Sequence, residues 1–177
     1  SQLMWTARKF KDEKVFYFPH TLDFRGRMYA NTAFLNPQGE DSARGLLEFS
    51  IGKPLGTSGL PWLQVHLANC YGYDKVSLEE RVEWVEFHDW AIVEVGTDPL
   101  THKWWMDADK PWQFLRASIE YVKAKKDPNF VSYLPITVDG SCNGLQHFSA
   151  MLRDQVGGRA VNLTMTDKPQ DIYEIVK

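Results

Sequence analysis

The chain has 177 residues, enough for one domain with a sizeable core, since 44% of them are apolar and 14% are aromatic. So many aromatic residues exclude an intrinsically disordered chain. The chain has 20 lysines and arginines and 23 aspartates and glutamates, which gives a net charge of -3. This charge excludes a generally basic surface, so any contact with nucleic acid must be local.

The composition also argues against secreted and membrane proteins. The two cysteines, Cys70 and Cys142, form neither a disulfide framework nor a zinc-ligand spacing. The sequence has no run of about 18 apolar residues that could span a membrane, and its N-terminus lacks the apolar core of a secretion signal. We therefore expect an intracellular protein. The missing initiator methionine and the helical pattern that is still running at Lys177 favour a fragment of a longer protein.

The first forty residues predict the end of a helix and then two short strands. Residues 1–12 are typical of the last turns of a helix. Val15–Phe18 is an aromatic, β-favouring run that stops at a proline, and Met28–Ala30 is a second strand candidate. The polar residues 23–27 predict the turn between these strands, and Asn36–Gly39 predicts a further turn.

The middle of the chain predicts three helices. Ser58–Pro61 begins the first, a capping box at Ser77–Glu80 precedes the second, and Asp109–Pro111 begins the third. Apolar residues at helical spacing predict the buried faces: Leu63, Leu67, Cys70, Val82, Val85, Ile92, Leu115, Ile119 and Val122. Three tryptophans are expected to pack where the helices meet: Trp104, Trp105 and Trp112.

The last third predicts a strand, a tight loop and two helices. Leu134–Val138 is a short apolar run whose proline is tolerated only early in a strand or on an edge strand. The loop at 139–144 follows it. A helix with an apolar face that begins at Leu145 should end near Gly157–Gly158, and a final helix should start near 166–169.

Asp139 is the first candidate for a functional residue. It follows the predicted strand and precedes a helix, so its carboxylate should project from the carboxyl end of the strand. A hard divalent cation prefers oxygen ligands of this kind, and the carbonyl of Gly140 could add a second one. The alternative is an N-cap, the usual role of an aspartate before a helix, and the local pattern alone favours the cap.

The segment Asp23–Tyr29 is the second candidate. Arg25 and Arg27 flank a glycine, and the hydroxyl of Tyr29 lies two residues further on. Arginine forks bind phosphates, tyrosine can stack or hydrogen-bond to a sugar, and alternation along a strand would place these three side chains on one face. Asp23 is placed to hold one arginine. The alternative is a surface turn with ordinary salt bridges, which contribute little.

Other common kinds of catalytic site are poorly supported. The five histidines have no HExxH spacing, so zinc-dependent hydrolysis is not indicated. His147 is more simply a packed or hydrogen-bonded residue than a ligand. No lysine follows a glycine-rich loop as in a P-loop, and the GSCNG run at 140–144 is not the G-x-S-x-G of a nucleophile elbow.

Several motifs, taken in order, resemble one enzyme family. They are FPH at 18–20, DFRGRMY at 23–29, NPQG at 36–39, GLL at 45–47, GKPLG at 52–56, WW at 104–105, DGSCNGLQHFSA at 139–150, RD at 153–154 and GGRAVNL at 157–163. They resemble the central part of the single-subunit DNA-directed RNA polymerases of bacteriophages and mitochondria, over nearly the whole chain. DGSCNGLQH is the most specific stretch. GGRAVNL slightly favours the phage branch, whereas FPHTLDFRGR, LLEF and WWM resemble the mitochondrial branch equally well.

The resemblance implies an α+β fold, the palm of a right-hand polymerase, incomplete in this chain. Residues 1–154 would be the palm, with a helical insertion at about 57–127, and residues 155–177 would begin the fingers. The implied reaction is DNA-templated RNA synthesis by a two-metal mechanism with Mg²⁺, and the partners are a DNA template, the RNA product and ribonucleoside triphosphates. The implied enzyme is a monomer without membrane attachment, in the host cytoplasm for a phage protein or in the mitochondrion for the organellar branch.

The resemblance also implies roles for single residues. Asp139 matches the first metal-binding aspartate of the family, with the Gly140 carbonyl as a backbone ligand, and this match replaces the N-cap interpretation. The residues that match contacts to the template and the RNA–DNA hybrid are Arg25, Arg27 and Tyr29 in the turn and strand, and Ser141 and Gly144 in the loop.

The sequence departs from the family in one important respect. The second catalytic aspartate of the family lies in a His-Asp-Ser-Phe-Gly motif, whereas the only pair here, His88-Asp89, is followed by Trp90 in a predicted amphipathic helix. We therefore expect this segment alone to be inactive. Two alternatives stay open: a non-catalytic nucleic-acid-binding module, which the arginines support, and a metal-dependent phosphohydrolase that uses Asp139, against which the lack of further paired carboxylates argues.

Overall fold

The computed structural model of the protein describes residues 1–138, 140 and 142–175. Its helices are α1 (Gln2–Phe10), α2 (Asp41–Gly45), α3 (Gly56–Tyr71), α4 (Leu78–Phe87), α5 (Asp89–Thr97), α6 (Pro111–Lys126), α7 (Asn143–Leu152), α8 (Gln155–Ala160) and α9 (Ile172–Ile175), with a 3₁₀ turn at Trp104–Asp107. Its strands are β1 (His20–Leu22), β2 (Met28–Ala30), β3 (Lys53–Pro54) and β4 (Val131–Ser132). β1 pairs with β2 and β3 with β4, both antiparallel. This mixture of helices and small sheets is compatible with the predicted α+β class.

The hairpin of β1 and β2 begins after Pro19. The Pro19 carbonyl accepts one further hydrogen bond, from the Asn31 N–H at 2.7 Å. The predicted helix at the start of the chain and the predicted strand that is now β2 are confirmed, but the strand predicted at Val15–Phe18 was wrong. The ring of Phe16 lies 5.3 Å from that of Phe10, so this apolar run packs against α1 instead of entering a sheet.

The core forms between α3, α4, α5 and α6, as the helical pattern predicts. Leu67, Val85, Ile92 and Phe114 are fully buried. Aromatic rings around Phe114 have centroids 4.7 to 5.6 Å apart and belong to Tyr71, Trp84 and Trp104. The capping box at Ser77 is confirmed, because its side chain accepts from the Glu80 N–H and the Glu80 carboxylate accepts in return. In the part of the chain that the structure describes, no helix combines the length and apolar character needed to cross a membrane.

The second predicted helix is divided into α4 and α5 at His88. The His88 ring nitrogen donates to the Trp84 carbonyl at 2.7 Å, and the backbone at His88 leaves helical geometry (φ -98°, ψ 14°). The division turns Asp89 toward α6, where its carboxylate accepts from Tyr121 Oη at 2.8 Å and pairs with Lys125. The periodicity of apolar residues predicts one continuous helix, because it contains no information about tertiary contacts of this kind.

Helix α6 takes its N-terminal cap from a distant residue. The Asp41 carboxylate accepts from the N–H groups of Trp112 at 2.7 Å and Gln113 at 3.1 Å. It therefore satisfies donors that α6 cannot satisfy internally. The backbone of Gly45 lies against Trp112, where a Cβ would come within 3.0 Å of the tryptophan Cβ. These contacts join α2 firmly to the helical core.

The predicted buried face of α6 was wrong at two positions. Leu115 and Ile119 are only half-buried, whereas Tyr121 is buried in the core cluster. The buried face also contains Glu120, which is only 3% exposed and accepts a hydrogen bond from the Ser132 hydroxyl at 2.9 Å. A charged residue inside the fold obscures the apolar periodicity on which the prediction depends.

The strand predicted at Leu134–Val138 was also wrong, since β4 is confined to two residues before this run. Directly after β4, the Tyr133 carbonyl accepts from the N–H of Phe49, a residue that precedes β3, at 2.9 Å. Pro135 has no N–H with which to continue a ladder. Val138 is 90% exposed, so burial does not hold the end of the segment either.

The helix predicted to continue to Gly157–Gly158 is two helices, α7 and α8. Arg153 adopts a left-handed conformation with φ of 54° and ends α7. The Asp154 side chain then accepts from the Val156 N–H at 3.0 Å and caps α8. The final helix, α9, starts later than the predicted 166–169.

Substituting Phe114→Ala should destabilise the helical core, because it removes a fully buried ring and leaves a cavity. We expect the free energy of opening of α6, measured by native-state hydrogen exchange in the full-length protein, to fall by about 3–5 kcal/mol. Phe87→Ala is the matched control, since Phe87 is 80% exposed on α4. A comparable loss of protection in both variants would contradict the assignment of the core.

Candidate nucleic-acid interface

The turn between β1 and β2 is organised by the carboxylate of Asp23. It accepts from the backbone N–H groups of Arg25 at 2.9 Å and Arg27 at 3.0 Å, while Gly26 supplies the positive φ of 76° that the turn requires. The hydrogen bond from the Arg27 backbone is the largest cause that lowers the pKa of Asp23, and the side-chain hydrogen bond from Arg25 adds to it. The ionised carboxylate therefore stabilises this turn at neutral pH.

Arg25 is held in place on both sides. Its guanidinium pairs with Asp23 at 2.8 Å and donates to the Tyr29 hydroxyl at 3.1 Å, which confirms the prediction that Asp23 holds an arginine. Arg25 also lies over the exposed ring of Phe24, with 5.7 Å between the guanidinium carbon and the ring centroid. Arg25 and Tyr29 are thus brought together as an ordered pair.

The outer edge of β2 is held by the Asn36–Gly39 turn, which the structure confirms by a Gly39 N–H to Asn36 carbonyl bond of 3.0 Å. The Gln38 side chain accepts from the Ala30 N–H at 2.7 Å and donates to the Met28 carbonyl at 2.9 Å. One side-chain amide therefore takes the place of a neighbouring strand along this edge, and it fixes the hairpin relative to α2.

Arg27 faces the N-terminus of α7 across an open cleft of about 560 Å³. The cleft is lined by Arg27, Cys142, Asn143, Gly144, Leu145, Phe148 and Tyr173. Two residues predicted to contact nucleic acid, Arg27 and Gly144, thus lie on the same cleft. Beside Gly144 a Cβ would meet no atom within 4 Å, so the space there is open. Among the described residues, no hydrogen bond or ion pair engages the Arg27 guanidinium.

The loop before α7 contains features that the sequence analysis missed. Cys142, which directly precedes α7, adopts a left-handed conformation with φ of 62°, which is uncommon for a residue with a side chain. Its thiol donates to the Tyr173 hydroxyl at 3.6 Å. This contact is the first cause of a raised pKa at Tyr173. No local sequence pattern indicates that Tyr173 reaches this cleft, because tertiary folding alone brings it there.

The two loop residues with the most specific predicted roles, Asp139 and Ser141, lie outside the described residues. Gly140 is described and exposed, and the Asn143 side-chain oxygen lies so close to its Cα that a Cβ would collide with it. The Asn143 carboxamide and the Gly140 carbonyl are hard oxygen donors of the kind that suits Mg²⁺. Within residues 1–138, 140 and 142–175, no group of three or more His, Cys, Asp or Glu residues could hold a metal ion.

The remaining titratable groups singled out by the sequence have structural roles. Burial tends to raise the pKa of Asp89, but hydrogen bonds from Lys125 and Tyr121 outweigh this effect and lower it, so Asp89 is an ionised partner of α6. Burial raises the pKa of Cys70 to about 12 and lowers that of His66 to about 4, so both are neutral core residues. Cys70 and Cys142 are free thiols, as expected.

The chain is similar to DNA-directed RNA polymerases along nearly its whole length. A family model described as DNA-dependent RNA polymerase matches residues 53–177. Over 173 residues the chain is 51% identical to the mitochondrial DNA-directed RNA polymerase 1B of Nicotiana tabacum, and over 171 residues it is 48% identical to the DNA-directed RNA polymerase of Enterobacteria phage K11. The T7 RNA polymerase of Escherichia phage T7 is 47% identical over 173 residues.

These matches cover 94% of this chain for the tobacco protein and 96% for the two phage proteins, but only 17% and 19% of those relatives. The chain therefore spans less than a fifth of the length of the curated relatives it matches. The resemblance predicted from the sequence motifs is confirmed. Both branches match at similar identity, so the slight preference for the phage branch stays a prediction.

Substituting Asp23→Asn should loosen the hairpin turn at neutral pH, because a neutral amide cannot pair with Arg25 and accepts weaker bonds from backbone N–H groups. The pKa of Asp23 is lowered from 3.8 by folding, so its carboxylate stabilises the turn above that pH and stops doing so as the pH falls through the folded value. We expect tryptic cleavage after Arg25 and Arg27 in the full-length protein to accelerate several-fold. Asp12→Asn is the control, since Asp12 is an exposed residue outside the turn. Equal cleavage rates in the two variants would contradict the proposed role of Asp23.

Proposed function

Because this chain belongs to the DNA-dependent RNA polymerase family, we propose that the protein that carries it synthesises RNA on a DNA template by nucleotidyl transfer. The family match over residues 53–177 carries this proposal. The substrates would be ribonucleoside triphosphates, and the partners the DNA template and the RNA product. The enzyme would act in an infected host's cytoplasm or in a mitochondrion, in keeping with its phage and mitochondrial relatives. We also propose that it acts as a monomer.

In this proposal, residues 1–154 form the polymerase palm, with a helical insertion at about 57–127, and residues 155–177 begin the fingers. The insertion is supported by the core that α3 to α6 build among themselves. The boundary is supported by the left-handed Arg153, which ends α7, and by the Asp154 cap, which starts a new helix. The Arg27 cleft then lies between the hairpin and α7 of the palm, with Tyr173 from the start of the fingers at its margin.

Arg27 is the residue that we assign to contact with the RNA–DNA hybrid. Its guanidinium faces the cleft, and a guanidinium fork binds phosphate oxygens bidentately. The open space beside Gly144 lets a sugar–phosphate backbone come close to α7. Arg25 and Tyr29 present a second polar pair on the same hairpin. Contacts of this type fix the position of a duplex without selecting its base sequence.

Asp139 and the Gly140 carbonyl are the groups that would hold Mg²⁺, and Ser141 would lie beside the hybrid. A pair of bound ions would supply the two effects that the reaction needs: a lower pKa of the RNA 3′ hydroxyl from one ion, and compensation of the charge on the departing pyrophosphate from the other. Two-metal transfer needs further carboxylates, and the described residues bring no such group together. In this proposal those carboxylates come from another part of the full-length protein.

Substituting Asp139→Asn in the full-length protein should abolish nucleotide addition and leave binding of an RNA–DNA hybrid nearly unchanged. The amide keeps the shape of the side chain but loses the charge that holds the metal, so we expect the rate to fall by about a thousandfold or more. The measurement is single-nucleotide extension of a labelled RNA primer. Asp89→Asn is the control, because Asp89 pairs with Lys125 in the helical core and should affect stability, not chemistry.

Other outcomes of this experiment would favour the alternative functions. Substantial Mg²⁺-dependent extension by Asp139→Asn would refute the assignment of Asp139. A wild-type protein that binds the hybrid but adds no nucleotide would favour a non-catalytic nucleic-acid-binding module. Hydrolysis of phosphoesters by the wild type without any extension would favour a phosphohydrolase.

Substituting Arg27→Ala should weaken binding of the RNA–DNA hybrid, because it removes one contact to phosphate. We expect the slope of log affinity against log salt concentration to become shallower by about 1, so that the deficit is largest at low salt. The measurement is a salt titration of hybrid affinity in the full-length protein. Arg27→Lys is the matched control, since it keeps the charge and should keep most of the slope. If Arg27→Ala has the wild-type slope, the arginine does not contact phosphate.

A further inference from the structure

The segment 131–138, which leads directly into Asp139, is held by other elements at both of its ends. At the first end, the Ser132 hydroxyl donates to the buried Glu120 carboxylate at 2.9 Å. The Phe49 N–H donates to the Tyr133 carbonyl, and Gly52 lies against the Val131 and Tyr133 side chains. This end is therefore fixed to α6 and to β3.

The second end of the segment lacks such packing. Ile136, Thr137 and Val138 are all exposed, and Val138 is almost fully so. Pro135 interrupts any ladder at this point. The Thr137 hydroxyl accepts a hydrogen bond from the Arg44 guanidinium, two residues before Asp139. Because little apolar area is buried here, this end of the segment is held by the hydrogen bond from Arg44.

Arg44 is itself attached to the rigid part of the molecule. It lies on α2, whose Asp41 carboxylate caps α6 through Trp112 and Gln113. Gly45, the next residue, is packed against Trp112. The contacts at both ends of the segment 131–138 therefore lead back to α6, one through Glu120 and the other through α2.

We propose that Arg44 is a positioning residue: by holding Thr137, it positions the loop at 139–144 that begins with Asp139. The inference rests on the proposed function, since it concerns the approach to Asp139. Catalytic groups must be held to within about 0.5 Å of their productive geometry, and a misplacement of about 1 Å can cost a hundredfold in rate. The segment 131–138 ends in exposed residues, so it meets this requirement only if a specific contact restrains that end.

The test compares Arg44→Met, which removes the donor but keeps an unbranched apolar stem, with Thr137→Val, which removes the hydroxyl but keeps the shape. In the full-length protein without metal, both variants should show faster amide hydrogen exchange in residues 133–138. In primer extension, both should raise the Mg²⁺ concentration for half-maximal rate by about threefold to tenfold. The double variant should be no worse than either single variant. Thr137→Ser, which keeps the hydroxyl, should behave like the wild type.

Three results would overturn the proposal: unchanged exchange in residues 133–138, additive effects in the double variant, or a loss of hybrid affinity with Arg44→Met that Thr137→Val does not share. The last result would mean that Arg44 contacts nucleic acid directly. The exchange measurement separates this inference from the proposed function. If the wild-type protein makes no RNA, exchange alone still decides whether Arg44 restrains the loop.

Discussion

The carboxylate of Asp41 connects parts of the chain that are far apart in sequence. It caps α6, and it lies within a ten-residue segment, 36–45, that makes two further contacts with other elements. Gln38 holds the free edge of β2, and Arg44 holds Thr137. The arginine-bearing hairpin and the approach to Asp139 are therefore both placed with reference to the same helix. If α6 lost this cap, the hairpin and the segment 131–138 would lose a common support.

The sequence predicts well those elements whose determinants are local. The capping box at Ser77, the buried stripe of α3 and the strand at β2 all follow from neighbouring residues, and the structure confirms them. The failures have non-local causes. Glu120 is buried because Ser132 and Arg116 satisfy it, and the run at Val15–Phe18 forms no strand because Phe16 packs on α1. Patterns of polarity contain no information about such partners.

In the candidate site, too, the sequence predicts the features with local determinants and misses those that depend on distant residues. The spacing of Arg25, Arg27 and Asp23 predicts a polar hairpin tip with an internal ion pair, and the structure contains it. Nothing local predicts that Arg27 faces Gly144, and only the resemblance to polymerases assigned both residues to nucleic acid. The apolar stripe of α7 makes a related point, because its helical period is correct while Phe148 remains 63% exposed on the cleft. A pattern identifies an apolar face but not what covers it.

The two arginines explain how an acidic chain can contact a polyanion at one place. Asp23 neutralises Arg25 and fixes the turn, so one positive charge is used to build the hairpin. Only the backbone N–H of Arg27 bonds to Asp23, and the residue lines the cleft. The overall charge of -3 then limits non-specific attraction, since fields from distant groups are screened over about 10 Å in salt. In the proposed function, binding at this site would depend on where the guanidinium of Arg27 is held, and the carboxylate of Asp23 fixes the turn that carries it.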